Sequence, residues 1–427
     1  MQVFRRLAVF AVGGFSVGWT AAASLPPLAG DGVTDDTAAI QARLDAGSPL
    51  VCLPPPKSCY LISRTLRIGS DTELRLDRFT VVRLAPKSDC PMVENRSYRA
   101  GRDVRLALTG GVWDMACAGQ SPNAMAWWWY RPQREDKVPK THDPDHFWGM
   151  AMRFSNVEDI TVKGVTIRNP TTYGLAFCKM SRFLIDDITF DYRKSNPYPG
   201  NQDGVHLDGN CHHGRISNLR GTCFDDMVAL NANDGACAQE EGPITDVAID
   251  GLFAGYCHSA VRLLSAPAEV RRVTIRNVFG EFFVYAVGLT HYFPERPRGT
   301  FDDIVVEDVF MTKAFAPESF GRLSRVDYNP LFIEGPVDVG TLTVSRFVRE
   351  ERNLPTATLF VDPQATVKNL VVRDAKLRNR LKEPVRFFDV RGRVDRLTVD
   401  NLDLGENCVR GNEIGRIGWQ SDSWPHR

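Results

Sequence analysis

Asp203, Asp225 and Asp226 are the residues whose type and spacing point most directly to chemistry. They stand in the stretch 201–226, NQDGVHLDGNCHHGRISNLRGTCFDD. Each acidic signal is followed by a short alternating run, DGVHL and then DMVAL. Matching Val205 with Val228 lays Asp203 on Asp226 and Gln202 on Asp225. Neighbouring strands of a sheet lie roughly 4.8 Å apart, so two such runs stacked on each other bring the carboxylates onto one wall. Crowded like charges raise the pKa of one member, which can then donate a proton while its neighbours activate water. Paired carboxylates in a sugar-binding groove do this in glycoside hydrolysis.

The same register collects further groups. Matching Val261 sets His258 beside Asp225, Ser259 beside Asp226, and Arg262 in the outward column of His206 and Ala229. Matching Val287 brings Gly288, Thr290 and His291 toward this face, and matching Leu175 sets Tyr173 next to Asp203. The expected groove therefore has Asp203, Asp225 and Asp226 as catalytic residues, with Tyr173, His206, His258, Arg262 and His291 as substrate contacts. Blander readings stand beside these. An Asp in a turn often bonds only its own backbone. His206 would be a surface histidine, Arg262 would pair with a groove carboxylate, and His212 and His213 would be solvated. NANDG (231–235) with Glu240 and Glu241 has calcium-ligand residue types but lacks the full loop pattern. No metal and no cofactor is expected.

The elements that must position these groups form a repeat. From about residue 157 the pattern apolar-x-apolar-x-(Asn, Asp or Gly)-apolar recurs. It reads ITVKGV (160–165), FLIDDI (183–188), GRISNL (214–219), VAIDGL (247–252), VTIRNV (273–278) and IVVEDV (304–309). Weaker copies are LTVSRF (342–347), LVVRDA (370–375) and LTVDNL (397–402). Alternation sends Val, Ile and Leu inward and polar residues outward. The Asn, Asp or Gly supplies a bend with unusual φ/ψ. One coil cannot bury its own apolar face, so the copies must stack as a solenoid. A β-sandwich is the rival fold, but it does not repeat a single bend motif nine times. Upstream, residues 59–86 and 103–115 also alternate as strands. In GDGVTDDTAAIQARLDAG (30–47), Thr34, Asp35 and Asp36 cap a helix, Ala39, Ile40 and Leu44 form its stripe, and Gly47 ends it.

Four features lie outside the repeat. Residues 114–147 are a polar, Pro-rich, aromatic insertion. Its Trp127 and Trp128 either offer platforms for sugar rings or pack within their own loop. Residues 1–23 read as a signal peptide, with Arg5 and Arg6, an apolar run from Leu7 to Trp19, and Ala21–Ala23 as a cleavage site. That places the chain in the periplasm or outside the cell, with 24–427 as a single domain whose residues 24–100 make the cap and first coils. In such a compartment disulfides are open to the ten cysteines. Cys52 with Cys59, and the group Cys211, Cys223, Cys237 and Cys257, are the candidates, while Cys178 and Cys408 read as buried core residues. Lys plus Arg and Asp plus Glu number 52 each, so no global field favours nucleic acid or an anionic membrane. The expected partner is a carbohydrate.

Two resemblances follow from these motifs. The stretch 30–47 resembles the opening of the pectate-lyase superfamily, which implies an all-β, right-handed parallel β-helix with a short N-terminal capping helix. The NQDG and CFDD motifs resemble glycoside hydrolase family 28, the polygalacturonase family, whose motifs read N-T-D-G and then G-D-D or Q-D-D. That resemblance implies Asp225 as general acid, Asp203 and Asp226 activating water, and inversion at the sugar. HSAVRLLS (258–265) stands in place of the family's G-H-G, and GLTHYF (288–293) in place of R-I-K, with His291 where a fixed cation would be. A polysaccharide lyase on the same fold and a non-catalytic glycan-binding or structural β-helix are the rival functions.

Overall fold

A computed structural model describes residues 25–121, 149–193, 201–293, 295–317 and 328–412. The expected signal peptide and most of the aromatic insertion, Trp127 and Trp128 included, lie outside these residues.

The chain is a right-handed parallel β-helix. One long ladder stacks Leu175–Asp191, Cys211–Thr222, Ile244–Cys257, Val270–Phe282, Gly299–Lys313 and Val337–Glu351, every pair parallel. A second ladder of short strands stacks Val205–Asp208, Asp226–Asn231, Ser259–Leu264, Val287–Thr290, Leu331–Ile333 and Leu359–Val361, again parallel. Stacking parallel strands from successive coils excludes the sandwich, which is built from antiparallel sheets. Inward columns fill the interior: Val205, Val228, Val261 and Val287 are all buried, as are Leu207, Leu230, Leu263 and Leu289.

The bends behave as the sequence pattern requires. Gly164, Asp187, Asn218, Gly251, Asn277, Asp308, Arg346, Asp374 and Asn401 all take left-handed backbone conformations, with φ between 50° and 83°. Those are the fifth positions of the nine repeat copies. Asn, Asp and Gly enter this region most cheaply. Arg346 is the exception, and its guanidinium reaches back to Asp308 at 2.6 Å and Glu307 at 2.8 Å on the preceding coil. The glycine that opens GRISNL also has a cause. A Cβ on Gly214 would sit 1.8 Å from the Phe183 ring of the coil below.

The capping helix is Thr37–Asp45, with Ala39, Ile40 and Leu44 buried. Its side chains also occupy the open sheet edge. The Gln41 amide accepts from the Arg67 N–H at 2.9 Å and donates to the Arg67 carbonyl at 3.1 Å, so the edge strand is paired as if by another backbone. Asp36 precedes the helix without capping it. Its carboxylate instead accepts from the Ala29 and Gly30 N–H groups.

The disulfide expectation is corrected, since all ten cysteines are free. Cys52 is exposed while Cys59 is buried, so the two thiols do not meet across their loop. Cys211, Cys223, Cys237 and Cys257 are buried core side chains. Around them the Cys223 N–H donates to Cys257 Sγ at 3.1 Å, and the Cys237 thiol faces the Phe154 carbonyl at 3.6 Å. Small buried thiols filling a coil interior explain the cluster without any bridge.

Candidate active site

Five stacked rungs build the site, with Leu175 opposite Val205, Val205 opposite Val228, Val228 opposite Val261 and Val261 opposite Val287. Asp203 and Asp226 enter their strands at equivalent places. The Asp226 N–H lies 3.1 Å from Asp203 Oδ1 and 3.1 Å from Asp225 Oδ1, so a single backbone donor gathers two carboxylates. The Asn201 N–H donates to Asp225 Oδ2 at 2.9 Å. Gly204 allows this closeness, because a Cβ there would stand 2.5 Å from the Met227 carbonyl and 2.6 Å from the Phe190 ring. All three aspartates are buried. Asp225 is the most open at 8% exposure, against 1% for Asp203 and 0% for Asp226.

The rung of Val261 brings cations. His258 Nδ1 is 3.5 Å from Asp225 Oδ1, 3.8 Å from Asp226 Oδ1 and 2.9 Å from Ser259 Oγ. Arg262 Nε is 3.0 Å from Asp226 Oδ2. Its Nη1 donates to the Tyr292 hydroxyl at 3.1 Å, and the guanidinium lies over the Tyr292 ring. The Arg262–Asp226 contact is one of charge without alignment. Among the described residues neither buried Asp226 carboxylate oxygen has a hydrogen-bond donor in good alignment.

Burial and charge separate the three acids. Asp225 is pushed up to about 7, chiefly by burial, with Asp203 and Asp226 adding and His258 and Arg262 opposing. Burial would raise Asp226 too, but Arg262 and His258 outweigh it and hold this carboxyl below its ordinary range. Asp203 is raised by burial, against the pull of His206. Near neutrality the wall thus presents a protonated acid beside an ionised one, the division of roles that acid–base hydrolysis needs.

Two expected groove contacts take another place. His206 and Tyr173 are 0% and 2% exposed. Their rings stack with centroids 3.9 Å apart, and Tyr98, Met150, Ala236 and Cys237 form an apolar layer with Tyr173 on the outer side of this wall. His206 Nδ1 is 2.6 Å from Asp203 Oδ2, and Nε2 is 3.3 Å from Asp208 Oδ1. A surface histidine is therefore excluded, because the ring is fully buried beneath Tyr173. The His291 ring donates to the Pro297 carbonyl at 2.8 Å. Among the described residues no hydrogen bond or ion pair joins it to the three aspartates. Its neighbour Tyr292 is the side chain that reaches Arg262.

Sequence reasoning missed Asp208, Tyr292 and Glu334, and met Asp234 only as part of the NANDG calcium segment. Asp208 was findable, since it follows His206 by two along one strand and so shares its outward side. Asp234, Tyr292 and Glu334 stand in corner segments, where no periodicity signals direction. Glu334 accepts from the His291 N–H at 3.1 Å and is pushed up to about 7, mainly by burial. Of the suggested calcium carboxylates, Glu241 pairs with Arg296 at 2.8 Å, Glu240 accepts from Asn210 at 2.7 Å, and Asp234 accepts from Asn231 at 3.1 Å. Two groups do place ligand-type atoms within 4.8 Å of one another, His206 with Asp208 and Asp234, and Asp225 with Asp226 and His258.

The fold is a right-handed parallel β-helix, and one wall of it gathers three carboxylates with a histidine and an arginine. Residues 94–242 match the family model of glycosyl hydrolases family 28, a span that holds Asp203, Asp225 and Asp226 and ends before His258 and Arg262. The resemblance to that family is borne out on this span, and the enzyme class it carries is glycoside hydrolase. No curated protein sequence matches the chain. Among solved structures, the endo-xylogalacturonan hydrolase of Aspergillus tubingensis aligns with a TM-score of 0.58 at 15% identity, covering 90% of this chain and 98% of that one. The family 28 exopolygalacturonase of Yersinia enterocolitica aligns with a TM-score of 0.54 at 17% identity, covering 91% and 75%. PfbA, a surface adhesin of Streptococcus pneumoniae, aligns with a TM-score of 0.57 at 15% identity, covering 88% and 90%. At these identities the likeness is one of fold. No described helix is long and apolar enough to cross a membrane.

Proposed function

We propose that this protein hydrolyses a glycosidic bond in a pectin-like or other acidic glycan, with inversion at the anomeric carbon. Asp225 donates the proton to the leaving oxygen, while Asp203 and Asp226 activate the attacking water. The observation that carries this reading is the opposed tuning of two adjacent acids, Asp225 up to about 7 and Asp226 below its ordinary range. His258 and Arg262 set a cationic edge on the same wall, which suits a sugar carboxylate. The basic and apolar start of the chain supports export to the periplasm or beyond.

The test is a polysaccharide panel assayed for new reducing ends, with wild type and Asp225→Asn side by side. Hydrolysis by the wild type alone is the expected result. Equal activity in both would remove Asp225 from the mechanism. An unsaturated, ultraviolet-absorbing product would show a lyase, and glycan binding without cleavage in either protein would show a binding module.

A further inference from the structure

Next to the three aspartates lies a buried chain of charged groups that the mechanism above leaves unused. We infer that His206 is a positioning residue, which anchors the Asp203 carboxylate through a chain of contacts continuing to Asp208 and Asp234. The inference rests on the hydrolase reading, since it assigns Asp203 a base to be held.

Geometry carries the argument. Both Asp203 oxygens are tied: Oδ2 to His206 Nδ1 at 2.6 Å, and Oδ1 to the Asp226 N–H at 3.1 Å. The carboxylate cannot rotate without breaking a buried contact. The imidazole is held in turn. Its Nε2 is 3.3 Å from Asp208 Oδ1 and 3.8 Å from Asp234 Oδ2, and Tyr173 covers one face at 3.9 Å with the planes 11° apart. Asp208 is fixed by accepting the Cys237 N–H, and Asp234 by accepting from Asn231 Nδ2 at 3.1 Å. Asn231 is itself the rung partner of Asp208. His206 has no solvent exposure, and both of its ring nitrogens face carboxylates.

The charged groups facing the ring are Asp203, Asp208 and Asp234, with Arg262 one step away through Asp226. Burial favours the neutral imidazole, yet the carboxylates outweigh it and set His206 well above its ordinary value. The imidazolium opposes the burial that raises Asp203. Each water-activating acid thus has its own cation in the same outward column, His206 for Asp203 and Arg262 for Asp226, with the small Ala229 between them.

Two measurements test this. In ¹⁵N-histidine-labelled wild type, both His206 nitrogens should carry protons at neutral pH. A singly protonated ring would overturn the inference, and this arm needs no substrate. In the second, His206→Asn, which keeps a donor toward Asp203 but no charge, is compared with wild type on whichever substrate the panel yields. Its kcat should fall roughly 10- to 100-fold, part of the 10²–10⁴ that a positioned base supplies, with KM little changed. The low-pH limb should move to higher pH, because Asp203 without the imidazolium holds its proton more tightly. Asp208→Asn should move that limb the same way by less. A variant that only melts earlier, with an unshifted pH profile per folded molecule, would reduce His206 to a packing residue. Stoichiometric bound divalent metal with activity lost to chelator would also overturn the inference, because Nε2 would then be a ligand and not a donor. A wild type that cleaves nothing would sink the hydrolase reading, while the NMR arm still decides the protonation of the chain.

Discussion

Asp225 and Asp226 are neighbours in sequence yet face opposite electrostatic surroundings. Asp225 is raised because it is buried among other carboxylates, and Asp226 is lowered because Arg262 stands 3.0 Å away. Asp225→Asn should therefore lower kcat/KM by about 10²–10⁴ while circular dichroism and the melting curve stay those of the wild type. In the proposed mechanism Asp225 is the acid, so it works only while protonated. Activity should fall as pH rises through about 7, measured as the high-pH limb of kcat/KM. Arg262→Gln should move the low-pH limb upward, because Asp226 without its guanidinium is less acidic. At this scale much was legible in the sequence. Matching one valine per rung placed Asp203 by Asp226 and His258 by Asp225, since parallel pairing preserves alternation. The burial of His206 was not legible: the register set Tyr173 beside Asp203, but it did not show that the Tyr173 ring would lie flat on the imidazole. The disulfide expectation failed for a related reason: cysteine count and compartment say nothing about which thiols face each other.

At the scale of the element, the rung is the unit and the glycine before its strand is a condition for it. Gly204 lies where Met227 and Phe190 leave no room for a methyl group. Gly204→Ala should destabilise the protein by about 1–3 kcal/mol through overpacking, read by urea unfolding. It should also depress activity beyond the stability loss, since Asp203 is the residue just before it. The bends were the most readable elements of all. Nine fifth positions were marked by pattern, and all nine adopt the left-handed conformation. Arg346 shows that the position matters more than the residue type, since it takes the same backbone with ion pairs as its local support. Strand ends and corner segments were the least readable, and Tyr292 and Glu334 were missed there.

For the whole molecule, a solenoid has two ends that a closed barrel lacks, and the first of them is covered by the helix Thr37–Asp45. Ile40→Asp with Leu44→Asp should lift that helix, since both side chains are buried. The bared strand edge would then pair between molecules. Light scattering after size exclusion should show soluble oligomers or aggregate where the wild type shows a discrete species. The fold was legible because a repeat announces itself many times over. The substrate was not, because the segments that shape a groove are the parts that do not repeat. A last consequence concerns Gly204, whose N–H donates to the Asp226 carbonyl at 2.9 Å, as the Gly174 N–H does to Asp203. The rise from one acid to the next is thus set by the length of a peptide hydrogen bond, a ruler that no side chain can recalibrate. Corner segments can be exchanged to meet new polymers while the spacing of Asp203 and Asp226, the two residues proposed to activate water, stays locked to the backbone itself.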